Sequence, residues 1–180
     1  PKVPLLQTGS LALKVRADVS APSDVRRLFA EINSAAQPLR GVLHLAMVID
    51  DAPLDALTPE RMRNVLEPKA LGAWLLHEAT REMKLDCFVM FSSVSSIFGN
   101  PAQGNYSAAN AFIDSLAHHR QMLGLPALTV NWGVLGGEGY VARNARVADF
   151  LARQGTMEIS PTEATTLLES FLRAGTAQAI

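Results

Sequence analysis

Short apolar runs alternate along this chain with longer amphipathic segments, and that alternation constrains the fold more than any other feature. Four runs, at residues 11–20, 40–48, 86–92 and 126–132, are rich in the β-branched and apolar residues of strands. Strands separated by helices form parallel sheets with helices on both faces. The sequence therefore predicts an α/β fold with a doubly wound parallel sheet.

Helix signals occupy the intervening segments. Thr58 and Pro59 mark the start of one helix, which Pro68 should kink or interrupt before it continues over 69–83. A third helical unit covers 103–124, and the stretch from Ser160 to Glu163 matches a capping box with proline at the first helical position. The helix after the first strand has apolar residues at helical spacing, namely Val25, Leu28, Phe29 and Ile32.

Composition excludes several classes of protein. A chain of 180 residues with 48% apolar residues can bury the core of one domain. Its net charge of -1, without a basic stripe, argues against nucleic acid and anionic membranes as partners. It contains no apolar run near the roughly 20 residues that span a bilayer and no signal-peptide pattern, so we expect a cytoplasmic protein. The single cysteine, Cys87, is expected to be a buried strand residue.

Polar residues gather where the predicted strands end, which is where parallel sheets bind ligands. Ser92 and Ser93 end the third strand, and Tyr106 lies one short loop later with Asn110 four residues beyond it. Residues four apart on a helix share a face, so the phenol and the carboxamide should point into one space. The alternatives are a packed tyrosine with a satisfied hydroxyl, and serines that only cap a turn.

A tyrosine in such a crevice can protonate a carbonyl oxygen while hydride reaches the carbon. A free tyrosine has a pKa of about 10, which a nearby ammonium group would lower. Lys69, next to the helix interruption at Pro68, is the candidate for that group. The alternative is an ordinary solvated helix lysine.

Several motifs in a fixed order carry a family resemblance over roughly residues 17–137. "GVLHLAMVIDD", "EPKA", "FVMFSSVSSIFGNPAQGNYSAANAF" and "NWGVLG" resemble the ketoreductase domain of modular polyketide synthases and animal-type fatty acid synthases, a branch of the short-chain dehydrogenase/reductases. The resemblance implies a Rossmann-like fold. It also implies that residues 1–180 are one ketoreductase catalytic domain, an N-terminally incomplete fragment of a multidomain synthase that lacks its first strands.

The resemblance assigns catalytic roles to four residues. Tyr106 would be the proton donor to the β-keto oxygen, and Ser93, rather than Ser92, would hold that oxygen. Lys69 would bind the nicotinamide ribose, and Asn110 would support a proton relay. In these ketoreductases the lysine and asparagine are exchanged relative to the usual Tyr-x-x-x-Lys arrangement.

The implied cofactor is NADPH. Met47 argues for a fatty-acid-synthase-like system, because animal fatty acid synthase also has "LAMV" here. The implied substrate is a 3-ketoacyl chain on an acyl carrier protein, next to other domains of the same synthase. Besides Lys69 and Tyr106, the residues implied to contact the cofactor are Asp18, Val19, Ala46, Met47, Trp132 and Gly133.

Two residues bear on stereochemistry. "VIDD" resembles the Leu-Asp-Asp motif of B-type ketoreductases and includes Asp51, and Phe98 stands where A-type enzymes have tryptophan. We therefore expect the D-configured hydroxyl product. A mobile substrate lid is expected over about residues 133–157.

One departure from the family concerns the cofactor. The sequence contains no T-G-x-x-x-G-x-G turn, whose backbone amides would receive the pyrophosphate. By resemblance, residues 11–17 are the third strand of a sheet of order 3-2-1-4-5-6-7, so strands one and two are missing.

Other residues have structural interpretations. His44 is expected in the core, whereas His77, His118 and His119 are expected on helix surfaces, with no metal site. Trp74 and Trp132 are expected in the core or the crevice wall. Gly136 and Gly137 are expected to let a loop bend.

Three functions remain open on the sequence alone. The favoured one is an active ketoreductase domain. The second is a catalytically silent domain that organises neighbouring synthase domains, although silent relatives typically lose the tyrosine or lysine that this chain keeps. The third is an independent reductase of small substrates, against which the exchanged lysine and asparagine argue.

Overall fold

A computed structural model describes residues 2–4, 11–34, 37–137 and 157–180 of the chain. Its strands, numbered in chain order, are β1 (Lys2–Pro4), β2 (Leu11–Leu13), β3 (Gly41–His44), β4 (Cys87–Ser93), β5 (Leu128–Trp132), β6 (Val134–Leu135), β7 (Glu158–Ile159) and β8 (Gln178–Ala179). Its α-helices are α1 (Pro22–Asn33), α2 (Pro59–Leu66), α3 (Gly72–Thr80), α4 (Ser95–Phe98), α5 (Gly104–Met122) and α6 (Pro161–Ala174).

The main sheet contains four parallel strands in the order β3-β4-β5-β8. A helix connects each pair of neighbouring strands along the chain, as parallel pairing requires. The prediction of an α/β fold with a parallel sheet is confirmed. The order also agrees with strands four to seven of the family arrangement.

The first predicted strand is wrong in its length and in its partner. Only Leu11–Leu13 of the predicted 11–20 is a strand, and it pairs antiparallel with Lys2–Pro4 instead of joining the main sheet. A strand needs the edge of a neighbour for its backbone hydrogen bonds. Among the described residues, that neighbour is the extended stretch Lys2–Pro4.

Helices cover the two faces of the sheet unequally. On one face α1, α3 and α5 pack against β4 around a buried cluster that includes Phe29, Phe88 and Ile113. On the other face α6 covers β5 and β8 around Val130 and Trp132. In β3, side chains alternate between the faces, which leaves Leu43 56% exposed on the second face.

The helix start and interruption signals are confirmed. Thr58 Oγ accepts a hydrogen bond from the Arg61 amide (3.4 Å), and Ser160 and Glu163 form the predicted capping box. Pro68 lies in a π-helical stretch, Glu67–Leu71, between α2 and α3. Proline cannot donate to the helix ladder, and the wider π turn accommodates it. No helix in the described ranges is long and apolar enough to cross a membrane.

The surface position expected for His77 is wrong. Its side chain is 1% exposed, and its Nδ1 accepts a hydrogen bond from the guanidinium of the fully buried Arg120 (3.0 Å). Arg120 also donates to the Pro126 carbonyl (3.1 Å) and lies 3.9 Å from the centre of the Phe88 ring. Burial lowers the pKa of Arg120 to about 10. The local sequence around His77 gives no sign of such a partner 43 residues away.

The other histidine and aromatic expectations have mixed outcomes. His44 is 2% exposed, as expected for a core histidine, and His118 is exposed. Trp74 is 39% exposed and packs against His77 with ring centres 5.1 Å apart and ring planes tilted by 48°, so it is not a core residue. Cys87 is half-buried at the start of β4, which makes it less buried than predicted.

Candidate functional site

Lys69 is held inside the molecule by the π-helical stretch. Its side chain is 2% exposed, and its Nζ donates to the Phe91 carbonyl of β4 (2.7 Å). Its own carbonyl accepts a hydrogen bond from His44 Nε2 (2.9 Å), which ties the stretch to β3. The alternative of a solvated helix lysine is therefore wrong.

Burial changes the pKa of the Lys69 ammonium. Removing the ammonium from water lowers its pKa to about 8, and the negative charge of Asp114 acts in the opposite direction. Burial together with the nearby Lys69 charge also lowers the pKa of His44, so this histidine is neutral at pH 7. Lys69 is therefore charged at neutral pH and loses its charge in mildly basic solution.

Tyr106 lies in the first turn of α5, facing Lys69. The lysine Nζ is 5.8 Å from the centre of the phenol ring, and the hydroxyl donates to Met47 Sδ (3.4 Å). Burial raises the pKa of Tyr106 above its ordinary value, while hydrogen bonding with Asn110 and Ser93 acts in the opposite direction. This direction is opposite to the lowering expected from a nearby ammonium, and its largest cause is the loss of water around the phenol.

Asn110 and Ser93 complete the set that the resemblance implicates. The Asn110 carboxamide is fully buried and its Nδ2 donates to the Tyr106 carbonyl (2.8 Å), while its Oδ1 has no hydrogen-bond partner among the described residues. Ser93 Oγ accepts a hydrogen bond from the Ser95 amide (3.2 Å). Neighbouring residues of a strand point to opposite faces of the sheet, so Ser92 and Ser93 lie on different sides. Ser92 is 4% exposed, and its Oγ accepts a hydrogen bond from Asn131 Nδ2 (3.2 Å).

The segments implied to contact a cofactor lie beside this cluster. Val19 packs on the helix at Gly72, where a Cβ would come within 2.9 Å of the valine methyl group. Asp18 Oδ1 accepts hydrogen bonds from the amide and hydroxyl of Ser20, so it stabilises the turn before α1. Ala46 and the 41% exposed Met47 follow β3.

Trp132 occupies the core, not the crevice. Its ring is 5% exposed, packs on Phe91 with ring centres 5.6 Å apart, and belongs to the cluster under α6. Only its backbone faces the site, where its carbonyl accepts from the Val94 amide (3.1 Å). Gly133 is exposed.

Part of the predicted lid lies outside the described residues. Residues 138–156 belong to that part. At its base, β6 and β7 pair in parallel, with Val134 opposite Glu158. Gly137 has a φ of +87°, which glycine adopts readily, as expected for a bend.

The two residues implicated in stereochemistry are both exposed. Asp51 is exposed and its Oδ2 accepts from Gln103 Nε2 (2.9 Å), just before α5. Phe98 is 79% exposed.

A buried polar network behind the site was missed by the sequence interpretation. Asp114 Oδ2 accepts from Ser96 Oγ (2.6 Å) and Asn131 Nδ2 (2.9 Å), and Asn131 Oδ1 accepts from Gln178 Nε2 (2.8 Å). The signal was present in the spacing, because Tyr106, Asn110 and Asp114 recur every four residues on one helix.

Known proteins are similar to this chain in sequence and in fold. The family model described as "KR domain" matches residues 4–137. This chain belongs to the KR domain family. The chain is 37% identical to a solved structure of A-type ketoreductases from a modular polyketide synthase, with a TM-score of 0.87, over 91% of this chain and 34% of that one. A C2-type ketoreductase of a modular polyketide synthase is 34% identical, with a TM-score of 0.81. These structures give the ketoreductase domain a short-chain dehydrogenase/reductase fold.

The sequence relatives of this ketoreductase chain include polyketide synthases. It is 41% identical over 170 residues to the phenolphthiocerol synthesis polyketide synthase Pks15/1 of Mycobacterium bovis, which covers 93% of this chain and 8% of that protein. It is 43% identical over 158 residues to the polyketide synthase GfsB of Streptomyces halstedii, covering 87% of this chain and 3% of that protein. The chain thus spans less than a tenth of these relatives, which are multidomain synthases. Ketoreductase domains of this family are nicotinamide-dependent oxidoreductases.

Proposed function

We propose that this chain carries the catalytic residues of a cytoplasmic ketoreductase domain that uses NADPH to reduce a 3-ketoacyl thioester on an acyl carrier protein to the 3-hydroxyacyl thioester. The observation that supports it most is the buried Lys69 ammonium beside Tyr106, with Ser93 and Asn110 at the same strand end. A carrier protein and the other domains of a synthase would supply and receive the acyl chain.

The donor set fits the nicotinamide ribose half of the cofactor. An ammonium and a phenol suit the ribose hydroxyls, and the buried Oδ1 of Asn110 offers an acceptor that no described residue uses. The amides for the pyrophosphate are not provided by a glycine-rich turn within this sequence. Lys69, Tyr106 and the backbone near Met47 would therefore hold the nicotinamide end.

In the proposed reaction, the hydride and the proton come from different groups. When bound, the nicotinamide supplies the hydride for the β-carbon of the 3-ketoacyl chain. Tyr106 donates its proton to the oxygen that becomes the hydroxyl, and Ser93 Oγ donates a hydrogen bond to the same oxygen. The Lys69 ammonium stabilises the phenolate that results, and a proton returns from water past Asn110. The raised pKa of Tyr106 keeps it protonated before the step.

The first prediction tests general-acid catalysis by Tyr106. In the complete ketoreductase domain containing this chain, Tyr106→Phe should lower the rate of NADPH-dependent reduction of a 3-ketoacyl thioester at least about 100-fold, because only the proton donor is removed. Ser93→Ala should also lower the rate, whereas the matched change Ser92→Ala should leave it within about threefold, since Ser92 bonds into the buried network. A Tyr106→Phe variant with more than about a tenth of the rate contradicts the mechanism.

The second prediction concerns the hydroxyl configuration. The Asp51 motif and the absence of tryptophan at Phe98 support B-type, D-configured product. Solved relatives include A-type and C2-type enzymes, so overall similarity does not select a subtype. Chiral chromatography of the product from the unsubstituted domain should give mainly the D isomer. Mainly L product would overturn this assignment.

A catalytically silent, organising domain is the second candidate. A Mycobacterium tuberculosis relative that is 40% identical over 170 residues, Pks1, is named as inactive. Under this alternative the unsubstituted complete domain would bind its neighbours but oxidise no NADPH in the presence of the thioester.

A further inference from the structure

One fully buried side chain joins three segments of the site. Asn105, directly before Tyr106, has no exposed surface. Its Nδ2 donates to the carbonyl of Asp50, in the loop after β3 (2.8 Å), and to that of Arg61 in α2 (3.4 Å). Its Oδ1 accepts a hydrogen bond from the Tyr106 amide (2.8 Å). Both donor hydrogens and the acceptor of this carboxamide are thus used.

The hydrogen bond from the Tyr106 amide to Asn105 satisfies one of the free backbone amides at the start of α5. The first amides of a helix have no carbonyl four residues earlier to bond to. The residue before α5, Gln103, offers no side-chain cap, because its Oε1 already accepts a hydrogen bond from Asn100 Nδ2 (2.8 Å). Asn105 instead caps the amide of the residue that carries the phenol, which fixes the first turn of α5 at Tyr106.

The contact with Asp50 connects this turn to the loop that carries Asp51. That loop is also held by Arg61, which donates to the Asp50 carboxylate (2.8 Å) and to the Asp51 carbonyl (3.0 Å). Only Asn105 bonds to the loop, to α2 and to the Tyr106 amide at once, among the described hydrogen bonds. Gln103 Nε2 and the Ala52 amide also tie this loop to the segment before α5, through Asp51 Oδ2 and the Ala102 carbonyl. Asn105 adds the bond that reaches the Tyr106 amide itself.

We propose that Asn105 is a positioning residue, which sets the placement of the Asp50–Asp51 loop relative to the Tyr106 hydroxyl and thereby the face on which the ketone is reduced. The proposal rests on the proposed reductase function. Asn105 touches neither substrate nor cofactor in it. A carboxamide is needed because the same group must donate to two carbonyls and accept from one amide.

The main test compares Asn105→Ala with the matched control Asn64→Ala in the complete ketoreductase domain. Asn64 lies on α2 and donates to the carboxylate of the same Asp50 (3.0 Å), but it has no bond to α5. Asn105→Ala should lower kcat about tenfold or more and shift the ratio of the two hydroxyl isomers toward the minor one by at least about threefold, with KM for NADPH within about twofold. Asn64→Ala should change none of these beyond about twofold.

Asn105→Asp separates positioning from simple loss of structure. The carboxylate has the same shape and keeps the acceptor for the Tyr106 amide, but it faces the carbonyls of Asp50 and Arg61 without a hydrogen to donate. The nearest charged groups on those segments are Asp50, Asp51 and Arg61. A protonated carboxyl regains one donor. The rate of this variant relative to the unsubstituted domain should therefore rise at least about fivefold between pH 8 and about pH 5.5, whereas the relative rate of Asn105→Ala stays flat.

Hydrogen exchange distinguishes failure of the positioning role of Asn105 from failure of the proposed reductase function. The amides of 50–57 and of Tyr106 should exchange faster in Asn105→Ala than in Asn64→Ala, whether or not the domain is active. If the unsubstituted domain reduces no thioester but this exchange pattern appears, the proposed function fails and the coupling stands. If the domain is active and Asn105→Ala keeps its isomer ratio and exchange pattern, the positioning role is wrong. Loss of folding in both Asn105 variants would also overturn it, because a purely structural need would then suffice.

Discussion

At the scale of single residues, the site depends on two polar groups moved out of water. Lys69 and Tyr106 are each displaced from their ordinary pKa by burial, the lysine downward and the phenol upward. Both shifts favour the neutral form of the group concerned. The phenol is thereby kept as an acid, whereas the lysine retains its charge at pH 7 at a cost to folding.

The third prediction measures that cost. A lysine whose pKa falls from 10.5 to about 8 on folding destabilises the folded chain at neutral pH by on the order of 3 kcal/mol. The unfolded chain binds more protons between these values, so this group makes the free energy of unfolding rise with pH from about 8 to 10.5. Lys69→Met removes the charge and keeps the length, so it should not lower stability at pH 7, although activity should be lost.

Urea unfolding of the complete domain at pH 7 and about pH 9.5 checks this sign. Loss of the Lys69 bond to the Phe91 carbonyl offsets part of the gain, by roughly 1.5–3 kcal/mol for a charged donor. The stability of the unsubstituted domain relative to Lys69→Met should therefore improve at the higher pH. A variant that is more than about 3 kcal/mol less stable at pH 7 would show that burial of the charge is not costly here.

At the scale of elements, helix starts place the site side chains. α2 and α6 begin with a side-chain cap followed by proline, and these starts were predictable from sequence. α5 has no cap at Gln103, and its first turn depends on a contact with a distant loop. The π-helical stretch at Pro68 likewise turns Lys69 toward β4.

The fourth prediction tests a local cap. Ser160→Ala removes the hydroxyl that accepts from the Glu163 amide (3.3 Å), and should lower the free energy of unfolding by about 1 kcal/mol. The matched control is Thr166→Ala in the same helix, whose hydroxyl donates to the Thr162 carbonyl (3.0 Å) within the helix. This control should be neutral or stabilising, because alanine is the better helix former. Equal losses in both variants would contradict a capping role for Ser160.

At the scale of the whole molecule, the β3 edge of the main sheet and the part of the second face beside β3 are exposed in the described structure. β3 is one of the two edge strands, and Leu43 within it and Leu45 just after it are 56% and 53% exposed. Unpaired backbone groups beside exposed leucines favour association with another chain.

The fifth prediction concerns the 180-residue chain by itself. We expect it to aggregate or to be partly unfolded, and to bind NADPH more weakly than the complete domain. Leu43→Lys together with Leu45→Lys should reduce its association in light scattering, because charges on an edge strand oppose pairing. Leu54→Lys, at a residue 84% exposed but outside the sheet, is the matched control and should have little effect. A monomeric chain that binds NADPH at micromolar concentration and reduces the ketone would refute this expectation.

The sequence by itself determined the alternation of strands and helices, the capped starts of α2 and α6, and the candidate set Lys69, Ser93, Tyr106 and Asn110. These features depend on local spacing or on motifs read in order, so they need no knowledge of distant contacts. The parallel pairing of strands also followed from the alternation.

Only the tertiary structure decided the partners of buried polar groups. Asn105 bonds to a carbonyl 55 residues earlier, and His77 to a guanidinium 43 residues later. It also decided that β2 pairs with β1, that Trp132 points into the core, and that burial raises the pKa of Tyr106. The physical reason is common to all of them: burial and long-range hydrogen bonds depend on which segments meet in space, and a local pattern does not contain that information.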